Sequence, residues 1–321
     1  MKALVAQALT GTDGLAYTDV DDPVPGDAVI VDVGAAGVCF PDLLLLRGEY
    51  QLRLEPPFIP GMEVAGTVRS APQGSNLAVG QRVSAMTMLG GYAEQVAVTA
   101  SSVVPTPDAI DDASATALLG NYYTMYFALQ RRAALRAGET VLVLGSAGGI
   151  GVASIQIAKA LGARVVALVH RPQALDFVSG VGADVVLPLT EGWKQAVLDA
   201  TGGRGVDVVV DPVGGDAFDD AIRVLAPEGR LLVIGFAAGQ GIPTVKVNRL
   251  LLRNVSVVGV GWGEFLRHEP AAQAEVGAGL AALVAAGLRP PAPVTYPLAD
   301  GAAGLQALAD GKIKGKLVLL P

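Results

Sequence analysis

The sequence predicts an α/β protein in which a doubly wound parallel sheet is inserted into a mainly β domain, and three observations carry that expectation. From about residue 140 to 260, short β-branched runs alternate with Ala-rich helical patterns. Before that stretch, short strands are separated by Pro/Gly turns with little helix between them. After it, too few pieces remain to bury a core of their own, so they are expected to complete the first domain. A chain of 321 residues also exceeds what one core usually organises. The expected domains are therefore 1–122 with 262–321, and 123–261.

In chain order, strands are expected at 29–33, 64–69, 82–86 and 92–98, interrupted by a helix at 42–47. A longer helix at 113–135 leads into the parallel part. Its strands are expected at 140–144, 164–169, 184–187, 206–210, 230–234 and 255–260. Most read as near-continuous apolar runs, as strands covered by helices on both faces do. A helix at 271–288, a strand at 294–298, a helix at 301–309 and a strand at 316–320 close the chain. The last strand of the parallel series lies at a sheet edge, and an uncovered apolar edge needs a partner.

Composition excludes several classes. The chain is 51% hydrophobic, but 41 glycines and 20 prolines interrupt it, and no run of about 18 apolar residues is present to span a bilayer. The start, Met1-Lys2-Ala3-Leu4-Val5-Ala6-Gln7, lacks the apolar segment of a signal peptide, so a cytoplasmic protein is expected. The single cysteine, Cys39, forms no internal disulfide and makes no structural zinc site by itself. A net charge of −7 argues against nucleic acid. The one basic cluster, Lys312-Ile313-Lys314-Gly315-Lys316, reads either as a solvated turn before a strand or as a binding patch.

The chemistry is announced at Gly145-Ser146-Ala147-Gly148-Gly149-Ile150-Gly151, which follows the first parallel strand and opens a helix. Glycines there let the backbone turn tightly, approach a pyrophosphate and pack helix on strand, with the phosphates at the positive helix end. Ser146 takes the first glycine position. Such turns also occur for structural reasons alone, but at the head of a long βαβ series this one reads as the dinucleotide site of a Rossmann domain. NAD sites carry an acid about 20 residues further on, for the ribose hydroxyls. Here the second strand ends Val169-His170-Arg171 with no acid. Arg171, with His170, suits a 2′-phosphate, which makes NADPH the expected cofactor; otherwise Arg171 is a solvated loop residue.

Together with Gly37-Val38-Cys39-Phe40-Pro41-Asp42, Pro60-Gly61-Met62-Glu63-Val64-Ala65-Gly66, Asn121-Tyr122-Tyr123-Thr124 and Asp211-Pro212-Val213-Gly214-Gly215, the glycine turn resembles the zinc-independent quinone oxidoreductase (zeta-crystallin-like) branch of the medium-chain dehydrogenase/reductase superfamily. The resemblance runs through nearly the whole chain and implies a GroES-like catalytic domain around the Rossmann unit. Zinc-containing members of the superfamily place Cys and His where this chain has Cys39 and Met62, and carry a four-cysteine loop where it passes directly from Met86 to Tyr92. A thioether and one thiolate do not assemble a catalytic zinc site, so no metal is expected. Quinones and α,β-unsaturated carbonyls accept hydride with hydrogen-bond assistance alone.

The resemblance also nominates site residues. Cys39 falls where relatives carry a polar residue near the nicotinamide, although a free cysteine is as often a small buried hydrophobe. Tyr50 matches a cleft tyrosine that hydrogen-bonds a substrate oxygen, or is an ordinary half-buried aromatic. Arg47 meets developing oxyanion charge, or is a solvated helix-end residue. Asn121 and Thr124 are expected beside the nicotinamide, with Asn121 alternatively a helix-bend residue. Val213, Gly214, Gly235 and Phe236 follow strand ends at the carboxyl edge, where such sheets bind ligands. Asn248 and Lys316 are placed near the cofactor by family analogy. Gln173 and Pro188 stand where many relatives have Lys and Tyr for the 2′-phosphate, leaving that role to Arg171. The expected protein is a homodimeric, NADPH-dependent, zinc-independent quinone oxidoreductase. A reductase of enones or 2-enoyl thioesters and a non-catalytic NADPH-binding protein are the alternatives.

Overall fold

β1 (Lys2–Ala6) and β2 (Leu15–Asp19) pair antiparallel as a two-stranded ribbon at the start of the chain. They are followed by β3 (Val29–Val38), α1 (Phe40–Leu46), β4 (Glu63–Ser70), β5 (Arg82–Met86), β6 (Gln95–Val98) and β7 (Val103–Pro105). The computed structural model describes all of residues 1–321. A helical run comes next, made of α2 (Asp112–Ala117) and α3 (Thr124–Tyr126) with π-helical turns at Leu118–Tyr123 and Phe127–Arg132. Asp111 starts this run, its carboxylate accepting the Ser114 N–H at 2.8 Å. The single helix expected at 113–135 is thus widened twice, once across Asn121.

The parallel part comprises β8 (Thr140–Val143), α4 (Gly149–Ala160), β9 (Arg164–Val169), α5 (Leu175–Val181), β10 (Val185–Pro188), α6 (Trp193–Ala200), β11 (Val206–Asp211), α7 (Ala217–Arg223), β12 (Leu225–Val233), α8 (Val247–Arg253) and β13 (Ser256–Gly259). The chain ends with α9 (Trp262–His268), α10 (Ala272–Ala285), β14 (Val294–Pro297), α11 (Gly301–Ala309) and β15 (Leu317–Leu320). Two compact units result: Met1–Gly120 with Arg289–Pro321, and Asn121–Leu288.

In the first unit a seven-stranded sheet runs β14-β15-β3-β4-β5-β7, with β6 also on β3. β3 changes partner along its length, meeting β6 over Val29–Asp32 and β15 over Ala36–Val38. Register shifts against β4 between Val33 and Ala35 bend it between the two. Val31, Val64, Val83, Tyr92, Leu305 and Leu319 fill the core enclosed by this bend.

In the second unit six parallel strands run β10-β9-β8-β11-β12-β13, the doubly wound Rossmann order. Every residue of β11 is buried, which is why its Val-rich run carries no polar alternation. The order reverses between β8 and β11, and a ligand crevice forms at such a switch point.

Residues 262–288, expected with the amino-terminal domain, lie in the second unit, and the boundary expected after 122 falls after Gly120. The reason is packing. Trp262 meets Phe127 with ring centroids 5.1 Å apart, and Gly277 and Gly279 of α10 leave room for the hydroxyl ends of Tyr123 and Tyr126. No helix is long and apolar enough to cross a membrane.

Candidate active site

Three neighbouring strands of the first unit deliver charged and thiol groups to one sheet edge. β3 ends at Val38, and the next residue, Cys39, precedes α1. β4 starts at Glu63, opposite Gly37, while β15 starts at Leu317, opposite Val38, so Lys316 stands just ahead of it. The Cys39 thiol donates to Glu63 Oε1 at 3.2 Å, and Lys316 Nζ donates to the same oxygen and lies 3.5 Å from Cys39 Sγ. The other carboxylate oxygen, Oε2, accepts the Gly120 N–H at 3.0 Å. Both charged side chains are almost fully buried, 1% exposed for Glu63 and 7% for Lys316. Cys39 is half-buried.

Behind this cluster, Asp42 in the first turn of α1 accepts the Cys39 N–H at 2.8 Å and the Gly61 N–H at 3.3 Å. It thereby caps α1 and fixes the chain entering β4. The Tyr92 hydroxyl lies beside the same carboxylate, fully buried and without a well-formed hydrogen bond. Burial pushes the Cys39 thiol well above its ordinary range, reinforced by Glu63 and opposed by Lys316. Burial also disfavours charge on Lys316, but Cys39, Glu63 and Asp42 outweigh it and hold the ammonium above its usual range.

Burial raises the Asp42 carboxyl from 3.8 to about 6, against the Cys39 N–H bond that favours its ionised form. Because the folded value lies above the unfolded one, this group's contribution to stability is fully present below pH ~4 and is lost as pH rises through ~6. Asp42→Asn removes that dependence. Relative to the variant, the native chain should lose about 3 kcal/mol of stability between pH 4 and pH 7. Urea unfolding across that range measures it, and parallel stability curves would sink the idea.

In the second unit, loops after four adjacent strands converge at the carboxyl edge. Gly145 turns the chain after β8 with φ of +59°, and a side chain there would meet Val213 and Pro212 after β11. Gly149 has no room for a Cβ because the Asn121 side-chain amide sits against it, and Gly151 has none because Gly145 O and Ser146 close on it. Gly148 precedes α4 and offers no side-chain cap, and the N–H groups of Gly149, Ile150 and Gly151, in the first turn, have no intrahelical partner. Asp211 holds the next loop by accepting the Val213 and Gly214 N–H groups at 2.9 and 2.8 Å. The Phe236 ring, after β12, lies against Gly214. His170 and Arg171 are exposed beyond the end of β9. This cradle of free donors, walled by residues too tightly packed to carry a Cβ, fits a dinucleotide pyrophosphate.

The other expected site residues take the following places. Ser146 is fully buried, its hydroxyl donating to Leu168 O and to Val143 O at 3.1 Å, so it ties β8 to β9. Lys316 is committed to Glu63 and Cys39. Arg47 caps the far end of α1 and lies along Gly11. Tyr50 is half-buried in the following loop, with its hydroxyl 3.4 Å from the Gln51 amide nitrogen. Thr124 opens α3, and Asn248 is exposed in the first turn of α8. Sequence reasoning did not pick out Glu63, Asp42, Tyr92 or Gly120 as site residues. A signal for Glu63 was available: an acid opening an otherwise apolar run, directly after Gly61-Met62.

Residues 25–108 match the family described as Alcohol dehydrogenase GroES-like domain, and residues 149–276 the family described as Zinc-binding dehydrogenase. Quinone oxidoreductase-like protein 2 of Bos taurus is 39% identical over 246 residues, 76% of this chain and 70% of its own. A probable oxidoreductase from Mycobacterium abscessus, known as a crystal structure, is 60% identical with a TM-score of 0.94, covering 100% of this chain and 99% of that one. The quinone oxidoreductase from Thermus thermophilus, solved also in complex with NADPH, is 36% identical with a TM-score of 0.86 over 100% of both chains.

The name of the second family raises zinc, and the residues here do not fit it. No group of three His, Cys, Asp or Glu side chains is arranged to hold a metal ion. Met62 offers a thioether, and a dication bound to Cys39 and Glu63 would sit against the Lys316 ammonium, which already bonds Glu63.

Proposed function

The chain belongs to the zinc-independent quinone oxidoreductase branch of the medium-chain dehydrogenase/reductase superfamily, and from that premise we propose that it reduces quinones with NADPH. The observation that carries this reading is the ammonium of Lys316 seated beside Cys39 and Glu63, at the place where metal-dependent relatives would need a dication. With no metal to polarise a carbonyl, the acceptor must be electrophilic by itself, as quinones are.

Bound NADPH supplies the hydride. Its pyrophosphate is assigned to the start of α4, from Ala147 and Gly148 to Ile150, by backbone N–H donation and the helix dipole. The nicotinamide end is assigned to Asn121, Thr124, Val213, Gly214, Gly235, Phe236 and Asn248. Cys39 and Tyr50 are assigned to the substrate, with Arg47 the outlying member of that set.

Arg171, with His170, is assigned to the 2′-phosphate, since no acid follows β9 to repel it. Arg171→Ala should weaken NADPH binding by about tenfold to a hundredfold, the range of a charge-assisted hydrogen bond, while leaving NADH unchanged. Fluorescence titration of both cofactors measures this, and equal losses would remove Arg171 from the 2′-phosphate site.

Homodimerisation is part of the same reading. β13 has a neighbour on one side only, and Val247, Leu251 and Leu252 of the preceding α8 are between 71% and 76% exposed. An apolar edge of this kind needs cover, and a second copy paired through β13 provides it by two-fold symmetry. Sedimentation equilibrium should return twice the chain mass of 32.6 kDa, and a monomer at micromolar concentration would refute it.

The test of function is the loss of NADPH absorbance with an ortho-quinone in the presence of a chelator, with NADH and a simple enone in parallel. Turnover of quinone with NADPH is expected. Turnover of the enone alone would make the chain an enone or 2-enoyl thioester reductase. Tight NADPH binding without any turnover would leave a non-catalytic binding protein.

A further inference from the structure

We propose that Gln240 is a positioning residue for the cofactor: with Asp216 it clamps the loop after β12 onto the loop after β11, and release of this clamp sets the rate at which NADPH is exchanged. The proposal rests on the assignment of the nicotinamide end to these two loops.

The loops continue the pairing of the sheet. β11 and β12 are paired as far as Asp211 and Val233. Beyond them the Ile234 N–H donates to Asp211 O at 2.9 Å, the Ala237 N–H to Pro212 O at 3.1 Å and the Ala238 N–H to Val213 O at 3.0 Å. The β11 loop lies in turn on the glycine turn, since a side chain at Gly145 would meet Val213 and Pro212. The pyrophosphate cradle, the β11 loop and the β12 loop are therefore in contact one after the other. Gly214 and Gly215, with φ of +65° and +60°, let the last two approach closely. The Phe236 ring lies against the first, and a Cβ on the second would run into Gln240 Oε1 and Ala238.

Gln240 closes this run. Its Oε1 accepts the Asp216 N–H at 3.0 Å and its Nε2 donates to Asp216 Oδ2 at 3.1 Å, so one side chain holds both the backbone and the carboxylate of its partner. Residues 236–242 are all exposed, so no buried side chain anchors the β12 loop. Its docking depends on the two backbone bonds at Ala237 and Ala238 and on the Gln240 pair. A segment held by solvent-exposed hydrogen bonds opens at low free-energy cost. The residues assigned to the nicotinamide straddle the clamp, Val213 and Gly214 on one loop and Gly235 and Phe236 on the other. Opening removes half of them at once, so release of the cofactor follows the opening equilibrium.

Gln240→Glu sets a second carboxylate against Asp216 at unchanged side-chain length and expels the side chain from the pair. Gln240→Glu/Asp216→Asn restores the pairing with donor and acceptor exchanged. Both positions are exposed, so neither change disturbs a core. In the cofactor-free chain, hydrogen exchange at the Ala237 and Ala238 amides should be about tenfold faster in the single variant, the effect of two lost hydrogen bonds, and native in the double. NADPH dissociation, followed by its fluorescence on displacement with excess NADP, should likewise be about tenfold faster in the single variant and native in the double. Dissociation from Gln240→Glu within about twofold of the native rate overturns the proposal, whatever the amide exchange shows. So does a double variant that releases NADPH as fast as the single one. A native chain that binds no NADPH overturns the cofactor reading itself; a native chain that binds it, with all variants releasing it alike, overturns only the clamp.

Discussion

Lys316→Met should destabilise the first unit by about 3–5 kcal/mol, the cost of leaving a buried charge without its partner. The Glu63 side chain is 1% exposed, and the ammonium of Lys316 is its single cationic partner in the structure; the Gly120 N–H and the Cys39 thiol remain but carry no compensating charge. Against a usual stability of roughly 5–15 kcal/mol, this is enough to bring the unit near unfolding at modest denaturant. The double variant Glu63→Gln/Lys316→Met should recover most of the loss, because removing both charges together leaves no ion buried alone. Urea unfolding followed separately in each unit is the measurement, since two units need not melt as one. A single variant within about 1 kcal/mol of the native chain would mean that the pair is solvated, in the range of an exposed ion pair.

That this pair escaped sequence analysis while the Rossmann unit did not has a physical reason. β8, β9 and β11 are buried throughout or nearly so, and strands covered on both faces write themselves as unbroken apolar runs, readable one segment at a time. The glycine turn is equally local. By contrast, Cys39 and Lys316 are 277 positions apart and Cys39 and Glu63 are 24, and they meet only through the antiparallel registers that set Gly37 against Glu63 and Leu317 against Val38. Register is a property of paired strands, invisible in either strand alone. Lys316 accordingly read as part of a basic turn or as a cofactor contact.

The same limit explains residues 262–288. An Ala-rich helix advertises that it packs against something, not against what. The decisive feature is that Gly277 and Gly279 meet Tyr123 and Tyr126, about 150 positions earlier, which no periodicity reports. β2 was missed for a simpler cause. β2 has no fully buried residue, so it lacks the contrast between faces that marks a strand. Ser146, expected at the phosphates because it fills a glycine position, instead spends its hydroxyl on Leu168 O and Val143 O. A small polar residue at a turn has two neighbours to choose between, ligand and adjacent strand, and only the fold decides.

Gly148→Val should lower NADPH affinity by at least about a hundredfold, ~2.7 kcal/mol, with little change in stability. The separation of the two effects follows from the turn. Gly148 is exposed, its backbone lies in the extended region at φ −87°, and a Cβ there would meet only Gly145 O, at an ordinary 3.5 Å. The folded chain therefore accommodates the side chain. What it fills is the approach to the uncapped start of α4, where the pyrophosphate must come close enough for the N–H groups of Gly149 and Ile150 to donate. Gly149→Ala is the contrasting case: its Cβ would collide with the Asn121 amide inside the second unit, so stability and affinity should fall together. Thermal melting and NADPH titration on both variants separate the two mechanisms. If Gly148→Val binds NADPH as the native chain does, the phosphates do not lie on this helix end, and the assignment of the cofactor to the switch point between β8 and β11 falls with it.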